Sequence, residues 1–268
     1  MTAEAPTLGG VGFVRLIAHL GDDSTICDVA RVSFRAGHAA TAAAPRSAAA
    51  DRELIRYLMR HKHTGPFEFP VMHFHVRLPI FIARQWMRHR TFSYNEVSGR
   101  YRELGEEVYL PSKLHGKPTN AKQGRGAPHP DSSYLARSLR FAAGAAKDAY
   151  REAAGEGVAL EQARAVLPLG TMTEFVFSAD LHNLLHFLGL RLDSHAQAEM
   201  QEYAAAILQL IEPLFPLAIE AWQDYRFDAP ALSRAQWAAI KAALPACPEV
   251  PGLSKGEQAE WSALWSSP

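Results

Sequence analysis

The sequence predicts an α+β domain with few strands and many helices. Three observations lead there. Most apolar residues recur at helical spacing, only EFPVMHFHVRL and TMTEFVFSAD read as strands, and neither an internal repeat nor a domain boundary is evident before about residue 228. At 268 residues, 48% of them hydrophobic, the chain is long enough to bury one large core or two small ones. Its 28 basic residues balance its 28 acidic ones, so no whole-molecule field advertises nucleic acid or an anionic membrane as partner. Cys27 and Cys247 lie far apart without a CxxC, which gives no sign of a disulfide framework or zinc ribbon and fits a reducing compartment. With neither a basic-then-apolar leader nor a membrane-length apolar run, the expected location is the cytoplasm and no membrane partner is expected.

Taken in order, an Ala-rich, Pro-interrupted stretch (AGHAATAAAPR) leads into a helix capped by Ser47 or Asp51, with Leu54, Ile55, Leu58 and Met59 on one face. EFPVMHFHVRL is strand-like through its β-branched and aromatic residues, and Pro79 cannot continue it as a central strand. Pro79 suits instead the first turn of a helix, PIFIARQWMRHR, that ends near Arg90 and carries Arg88, His89 and Arg90 in its last turn. Residues 110 to 130 have the Gly, Pro and Lys content of a long exposed loop. Asp131 caps a helix to about Glu156, and ALEQARAVLPLG forms another ended by Pro168. TMTEFVFSAD alternates as a strand and Asp180 caps the helix LHNLLHFLGLRL. A long helix follows from about Ser194 to Ile211 and a further one around LAIEAWQDY. Two capping boxes, Ser233 with Gln236 and Ser254 with Glu257, predict two short helices in an appendage over residues 229–268, beyond a main domain of residues 1–228.

The stretch RQWMRHRTFSYNEVSGRY sets four arginines and a histidine against a single acid, Glu96. Arg84 and Arg88 are one helical turn apart, as are Gln85 and His89, so several donors converge near one helix end. A cluster of arginines is most simply a solvated turn. Three details point elsewhere: Phe92, Tyr94, Val97 and Tyr101 are interleaved with the charges, Ser98-Gly99-Arg100 offers a hydroxyl, a permissive backbone and a guanidinium in succession, and Glu96 is a lone acceptor among donors. Together they describe a pocket for a phosphorylated planar ligand.

RHR, seven residues, then Ser, within RHRTFSYNEVSGRY, resembles the signature of the flavin-dependent thymidylate synthases. HKHTGPFEF, EQARAVLP and LHNLLHFLGLRLDSHAQAEM resemble three further family segments, in the family's order, across roughly residues 10 to 227. The resemblance implies a helix-rich single domain with a small, mostly antiparallel sheet. It implies a homotetramer with active sites at subunit interfaces, FAD as cofactor, dUMP and methylenetetrahydrofolate as substrates, NADPH as reductant, and dTMP with tetrahydrofolate as products.

Residue by residue, the resemblance places Gln85, Trp86, Met87, Arg88, Glu96, Val97, Ser98, Gly99, Arg100, Arg164 and Arg191 at dUMP. At FAD it places His63, Gly65, Glu68, Arg88, His89, Arg90, Asn95, Glu96, Asp180, Leu181, His182, His186 and His195. Relatives often carry Thr or Ser at Gly65, and Asn and Arg within the triplet that is Asp180-Leu181-His182 here. Arg191 matches the arginine proposed to favour ionisation at N3 of the uracil, which makes it the catalytic candidate. A guanidinium beside the ring stabilises negative charge that delocalises toward C5, an otherwise poor nucleophile.

Neither cysteine has the electropositive setting of a thiolate nucleophile, and Ser98 lacks a base in sequence, so Ser98 reads as a ligand-holding residue and a flavin hydride completes the chemistry. His73 with His75, and His182 with His186, have pair spacings open to a metal but no third ligand at motif spacing, so no metal is expected. Two alternatives stand beside the flavoenzyme: another flavin-dependent methylation of uracil, for example in RNA, and a non-catalytic nucleotide- or RNA-binding protein using the arginine stretch and the basic loop at 113 to 125.

Overall fold

The structure, a computed structural model, describes residues 3–33, 47–104, 107–119, 124–244 and 246–266. The Ala-rich stretch before Ser47 and residues 120–123 of the predicted loop lie outside the described residues. Among the described residues, five strands form one antiparallel sheet in the order β1-β2-β3-β5-β4. They are β1 (Ala3–Thr7), β2 (Gly12–Leu20), β3 (Val71–Pro79), β4 (Ser93–Glu96) and β5 (Met172–Asp180). β3 is central, and its even-numbered residues Met72, Phe74, Val76 and Leu78 are all fully buried. The alternation is complete once Met72 is included with the strand-forming residues. Phe74 stacks on its cross-strand partner Phe177, ring centroids 5.0 Å apart.

The helices in chain order are α1 (Asp23–Val32), α2 (Ala48–Arg60), α3 (Ile80–Trp86), α4 (Ser132–Gly155), α5 (Leu160–Ala163), α6 (Leu181–Arg191), α7 (Ala198–Ile211), α8 (Pro216–Trp222), α9 (Arg234–Ala243) and α10 (Lys255–Ser266). α3, α6 and α7 lie against the sheet. Trp86, wholly buried, packs against Phe175 and Phe177 from the sheet, Phe187 from α6 and Tyr203 from α7. Ser47 caps α2 by accepting from Ala50 N, and Asp180 caps α6 by accepting from Asn183 N at 2.9 Å. α8 has no side-chain cap of its own. Asp23 supplies one from the start of α1, accepting from Leu217 N at 2.7 Å and Ala218 N at 3.0 Å.

Several predicted boundaries move. α3 ends at Trp86 rather than near Arg90, so Arg88, His89 and Arg90 lie in the turn that follows and not in the last helical turn. Tyr94 explains the stop: its hydroxyl lies 3.0 Å from the Trp86 carbonyl and 2.9 Å from the His89 carbonyl, so the end of the helix faces a side chain. Pro79 closes β3, paired with Met172, and stands at the cap position of α3 instead of in its first turn. α7 starts at Ala198 rather than Ser194, because the Asp193 carboxylate accepts from His195 N at 2.8 Å and holds that segment in a turn. β1, β2, α1 and β4 are elements that the sequence reading omits.

Two compact units are present, Met1–Phe227 and Asp228–Pro268. In the second, both capping boxes form, and Trp237, Trp261 and Trp265 pack together, the last two with centroids 4.9 Å apart.

Gly12, in β2, leaves the space through which the buried Tyr203 hydroxyl reaches the Arg77 carbonyl at 2.7 Å. A Cβ at Gly12 would fall 2.1 Å from that hydroxyl and 2.8 Å from that carbonyl. Gly12→Ala is therefore expected to cost about 3 kcal/mol of stability through overpacking and a lost buried hydrogen bond. Urea unfolding monitored by circular dichroism would measure it; an unchanged midpoint would show that β2 shifts freely.

Candidate active site

α6 organises the site, because residues from its two ends and from the turn after α3 meet beside it. Arg191, at its C-terminus, donates from Nε to His89 Nε2 at 3.0 Å and from Nη2 to the Gln85 carbonyl at 3.3 Å. For His89 to accept at Nε2 its proton must sit on Nδ1. The ring is buried, 8% exposed, and burial together with the Arg191 and His186 charges pushes its pKa down to about 4. Burial also lowers the pKa of Arg191, yet a guanidinium starts so high that it stays charged. Burial pushes the Tyr94 phenol up, so its hydroxyl stays protonated under the turn. The result is a half-buried cation held by two neutral acceptors, with no carboxylate against it among the described residues.

Two cavities flank this pair. One, of about 560 Å³, is walled by apolar residues including Leu58, Phe67, Leu185 and Trp222 and has Lys62, His63, His182, His186 and Arg226 around it. Lys62 adopts a left-handed backbone (φ 60°), which ends the run of α2 and turns Lys62, His63 and Thr64 into the cavity wall. The second, of about 700 Å³, is polar, and Gln85, Arg125, Arg191, His195 and Gln197 line it. His89 connects them: its ring lies 6.3 Å from that of His186 in the first cavity and bonds to Arg191 in the second.

The residues predicted for dUMP form two groups. Gln85 and Arg191 line the polar cavity. Glu96 to Arg100 continue from β4, where the Glu96 carboxylate accepts from Thr173 Oγ1 at 2.7 Å, Val97 N donates to the Glu174 carbonyl at 2.9 Å and Ser98 Oγ accepts from Arg100 N at 3.3 Å. Gly99 is buried, and a Cβ there would lie 2.9 Å from Leu104 Cδ1 and 3.4 Å from Arg164 Cδ, so the turn sits directly against Arg164. Arg100 donates to Glu161 at 3.2 Å. Ser98, Arg100 and Arg164 line neither cavity. Trp86 has its side chain wholly in the core, so only its main chain can face a ligand; Met87 packs partly buried against the same core.

Of the residues predicted for FAD, His63, His182 and His186 share the first cavity, while His195 lines the second. Asp193 accepts from His195 Nδ1 at 2.8 Å. Arg88 and Arg90 are unpaired among the described residues, and Asn95 is exposed on the edge strand β4. Gly65 and Glu68 are exposed in the turn after α2; a Cβ at Gly65 would meet nothing within 4 Å, so its missing hydroxyl reflects no steric demand. Asp180 is spent on capping α6, and Leu181 is fully buried with its N–H on the Pro70 carbonyl. Among the described residues no group of three or more His, Cys, Asp or Glu is arranged to hold a metal. Cys27 is buried and Cys247 lies in the second unit.

Sequence reasoning missed Lys62, Arg226, Arg125, Gln197 and Glu199. Glu199 carried the one usable signal, an acid beside the apolar Met200, Tyr203, Ala204 and Ile207 on a core helix.

The family described as Thymidylate synthase complementing protein matches residues 15–217. A flavin-dependent thymidylate synthase of Thermus thermophilus is 45% identical over 239 residues, 89% of this chain and 85% of that protein. Another, of Ruegeria pomeroyi, is 42% identical over 230 residues, 83% of this chain and 74% of that protein. Among solved structures, a UMP/dUMP methylase, PolB from Streptomyces cacaoi, bound with 5-Br dUMP, superposes with a TM-score of 0.72 at 35% identity, covering 80% of this chain and 95% of that one.

Proposed function

The chain belongs to the flavin-dependent thymidylate synthase family, and from that premise we propose that it methylates dUMP reductively to dTMP, with methylenetetrahydrofolate as one-carbon donor, NADPH as reductant and tetrahydrofolate as released product. The observation that carries this reading is the placement of Arg191, which lines the polar cavity and is held by the Gln85 main chain and by His89, whose ring lies 6.3 Å from His186 of the apolar cavity.

The first cavity fits FAD: its apolar walls suit a flat aromatic system, and Lys62, His182 and Arg226 offer cations or donors to a diphosphate. When bound, the flavin supplies the hydride. The protein's own part is positioning and electrostatics. Arg191 stabilises negative charge on the uracil as C5 becomes nucleophilic, and its half-buried position strengthens that interaction relative to water. The Ser98-Gly99-Arg100 turn, packed on Arg164, holds the phosphate. That turn and the Arg191 group belong to different surroundings in one chain, which supports a homotetramer in which each site draws on more than one subunit. The compartment we propose is the cytoplasm. Among the described residues no helix is long and apolar enough to cross a membrane.

The UMP/dUMP methylase among the structural neighbours favours one second reading, that UMP is also methylated here. Assaying both nucleotides separates the two. Purified protein should bind FAD, visible as flavin absorbance near ~450 nm; a protein that cannot be loaded with FAD would remove the hydride source.

Arg100→Ala is expected to weaken dUMP binding by about tenfold, as for a lost charge-assisted hydrogen bond. Flavin absorbance should be retained. An unchanged dUMP dissociation constant would take Arg100 out of the phosphate site.

A further inference from the structure

Residues 114–119 and 124–129 run side by side as the two arms of a ribbon. Gly116 N donates to the Ala127 carbonyl, Gly126 N to the Gly116 carbonyl and His129 N to the Leu114 carbonyl, each at 2.9 Å, and His115 pairs with Pro128 across the arms. Gly126 permits the close approach, since a Cβ there would fall 2.5 Å from the Lys117 carbonyl oxygen. These bonds hold arm to arm and not ribbon to body: no residue of either arm is buried, and none belongs to the hydrophobic core. The tie to the body is a charge pair. Partly exposed Arg125, in the second arm, bonds through Nη2 to Oε2 of Glu199, which stands in the first turn of α7 and is only 3% exposed. Tyr109, at the root of the same segment, donates its hydroxyl to Glu199 Oε1 at 3.2 Å, and its own N–H is fixed on the Gly170 carbonyl at 2.8 Å. One buried carboxylate thus grips the segment at its root and again in its far arm. Gly124 and Arg125 are thereby placed on the wall of the polar cavity, with Gln85 and Arg191.

We infer that the Arg125–Glu199 pair is a clasp: Glu199 is a positioning residue that fastens the ribbon to the body of the protein as a wall of the polar cavity, so that the cavity is assembled before its ligand arrives. An acid in the first turn of a helix gains from the helix dipole while remaining in water, so the dipole does not account for its burial. Burial alone would push the Glu199 pKa up; its own backbone N–H and the Arg125 guanidinium more than offset this and hold the carboxyl below its ordinary value. Such a pair adds little net stability, because removing two charges from water costs about as much as their attraction gains. What it specifies is place. The inference rests on the proposed reading of the polar cavity as the nucleotide site. With the ribbon released, only the fraction of molecules in which it happens to be docked would be competent to bind, and the observed affinity would fall by that fraction. The complex once formed is the same, so KM rises while kcat changes little. That pattern separates Glu199 from Arg191, whose loss acts on kcat.

The test combines hydrogen exchange over the two arms with calorimetric binding of dUMP, on the FAD-loaded full chain, for the wild type, Glu199→Gln and the double variant Arg125→Leu with Glu199→Leu. The double variant leaves no charge unpaired, so it decides alone if Glu199→Gln does not fold. In both variants, exchange in peptides covering 114–119 and 124–129 should quicken by about tenfold or more while the rest of the chain keeps its protection. The dUMP dissociation constant and KM should rise by about tenfold, with kcat within about threefold of the wild type. Retained protection of the arms in a folded double variant overturns the clasp. Faster exchange with an unchanged dUMP dissociation constant overturns the positioning role. A wild-type protein that does not bind dUMP overturns the nucleotide reading of the cavity, and the exchange result still decides whether the pair fastens the ribbon.

Discussion

Replacing Arg191 by alanine is expected to lower kcat by about two to three orders of magnitude, the usual loss when a preorganised donor to developing charge is removed. The side chain is half-buried, has no carboxylate against it among the described residues and is oriented by two acceptors that are themselves fixed. Its charge is thus available to the ligand rather than cancelled by an ion pair. Lysine at this position should rescue little, because one ammonium cannot keep the His89 bond and also present a planar pair of donors. The first cavity is lined by other residues, so flavin absorbance should survive the substitution. Loss of flavin along with activity would make Arg191 a structural residue instead.

His89 should make the protein lose stability as pH falls from about 6.5 toward 4. Its pKa is pushed down from 6.5 to about 4 in the folded chain, so between those values the unfolded chain binds the extra proton and the folded chain does not. The contribution is fully present above pH 6.5 and disappears as pH drops through about 4; its size is roughly 3 kcal/mol for a ring this buried. Protonation would also convert the acceptor of the Arg191 bond into a donor and set two cations against each other, so kcat should fall over the acid side of the same window. Urea unfolding at a series of pH values, for the wild type and His89→Asn, measures the first effect. Asparagine can still accept from Arg191 but does not titrate, so the variant should be markedly less sensitive to acid. Equal pH dependence in both proteins would place the titration elsewhere.

How much of this was legible in the sequence follows from where each element's information resides. The capped helices were readable because Ser47, Asp180 and Ser233 are local signals satisfied within a few residues. β2 was not readable, because GFVRLIAHL carries apolar residues on both faces, with Ile17 43% exposed, and so shows no clean alternation. β4 is a four-residue polar edge strand that exists by pairing with β5, a partner some eighty residues away. The end of α3 depends on the Tyr94 hydroxyl folding back onto it, which helical periodicity cannot register. At the site, the motifs named Gln85, Arg191 and His195, which line the polar cavity, and His63, His182 and His186, which line the apolar one, whereas this division between two cavities was not readable. The arginine stretch separates into a half that turns toward Arg191 and a half that packs on Arg164, and this follows from β4 turning the chain between them. Glu199 and Arg125 come together across 74 residues, a juxtaposition that only the folded sheet and α7 provide.

Every role given to Arg191 and the two cavities depends on the reductive methylation itself. Its most direct test is product analysis of the FAD-loaded protein supplied with dUMP, methylenetetrahydrofolate and NADPH, with UMP in a parallel reaction. dTMP and tetrahydrofolate are expected in equal amounts, with no dihydrofolate. Dihydrofolate as the folate product, or no dTMP from a protein that has bound both FAD and dUMP, would contradict it.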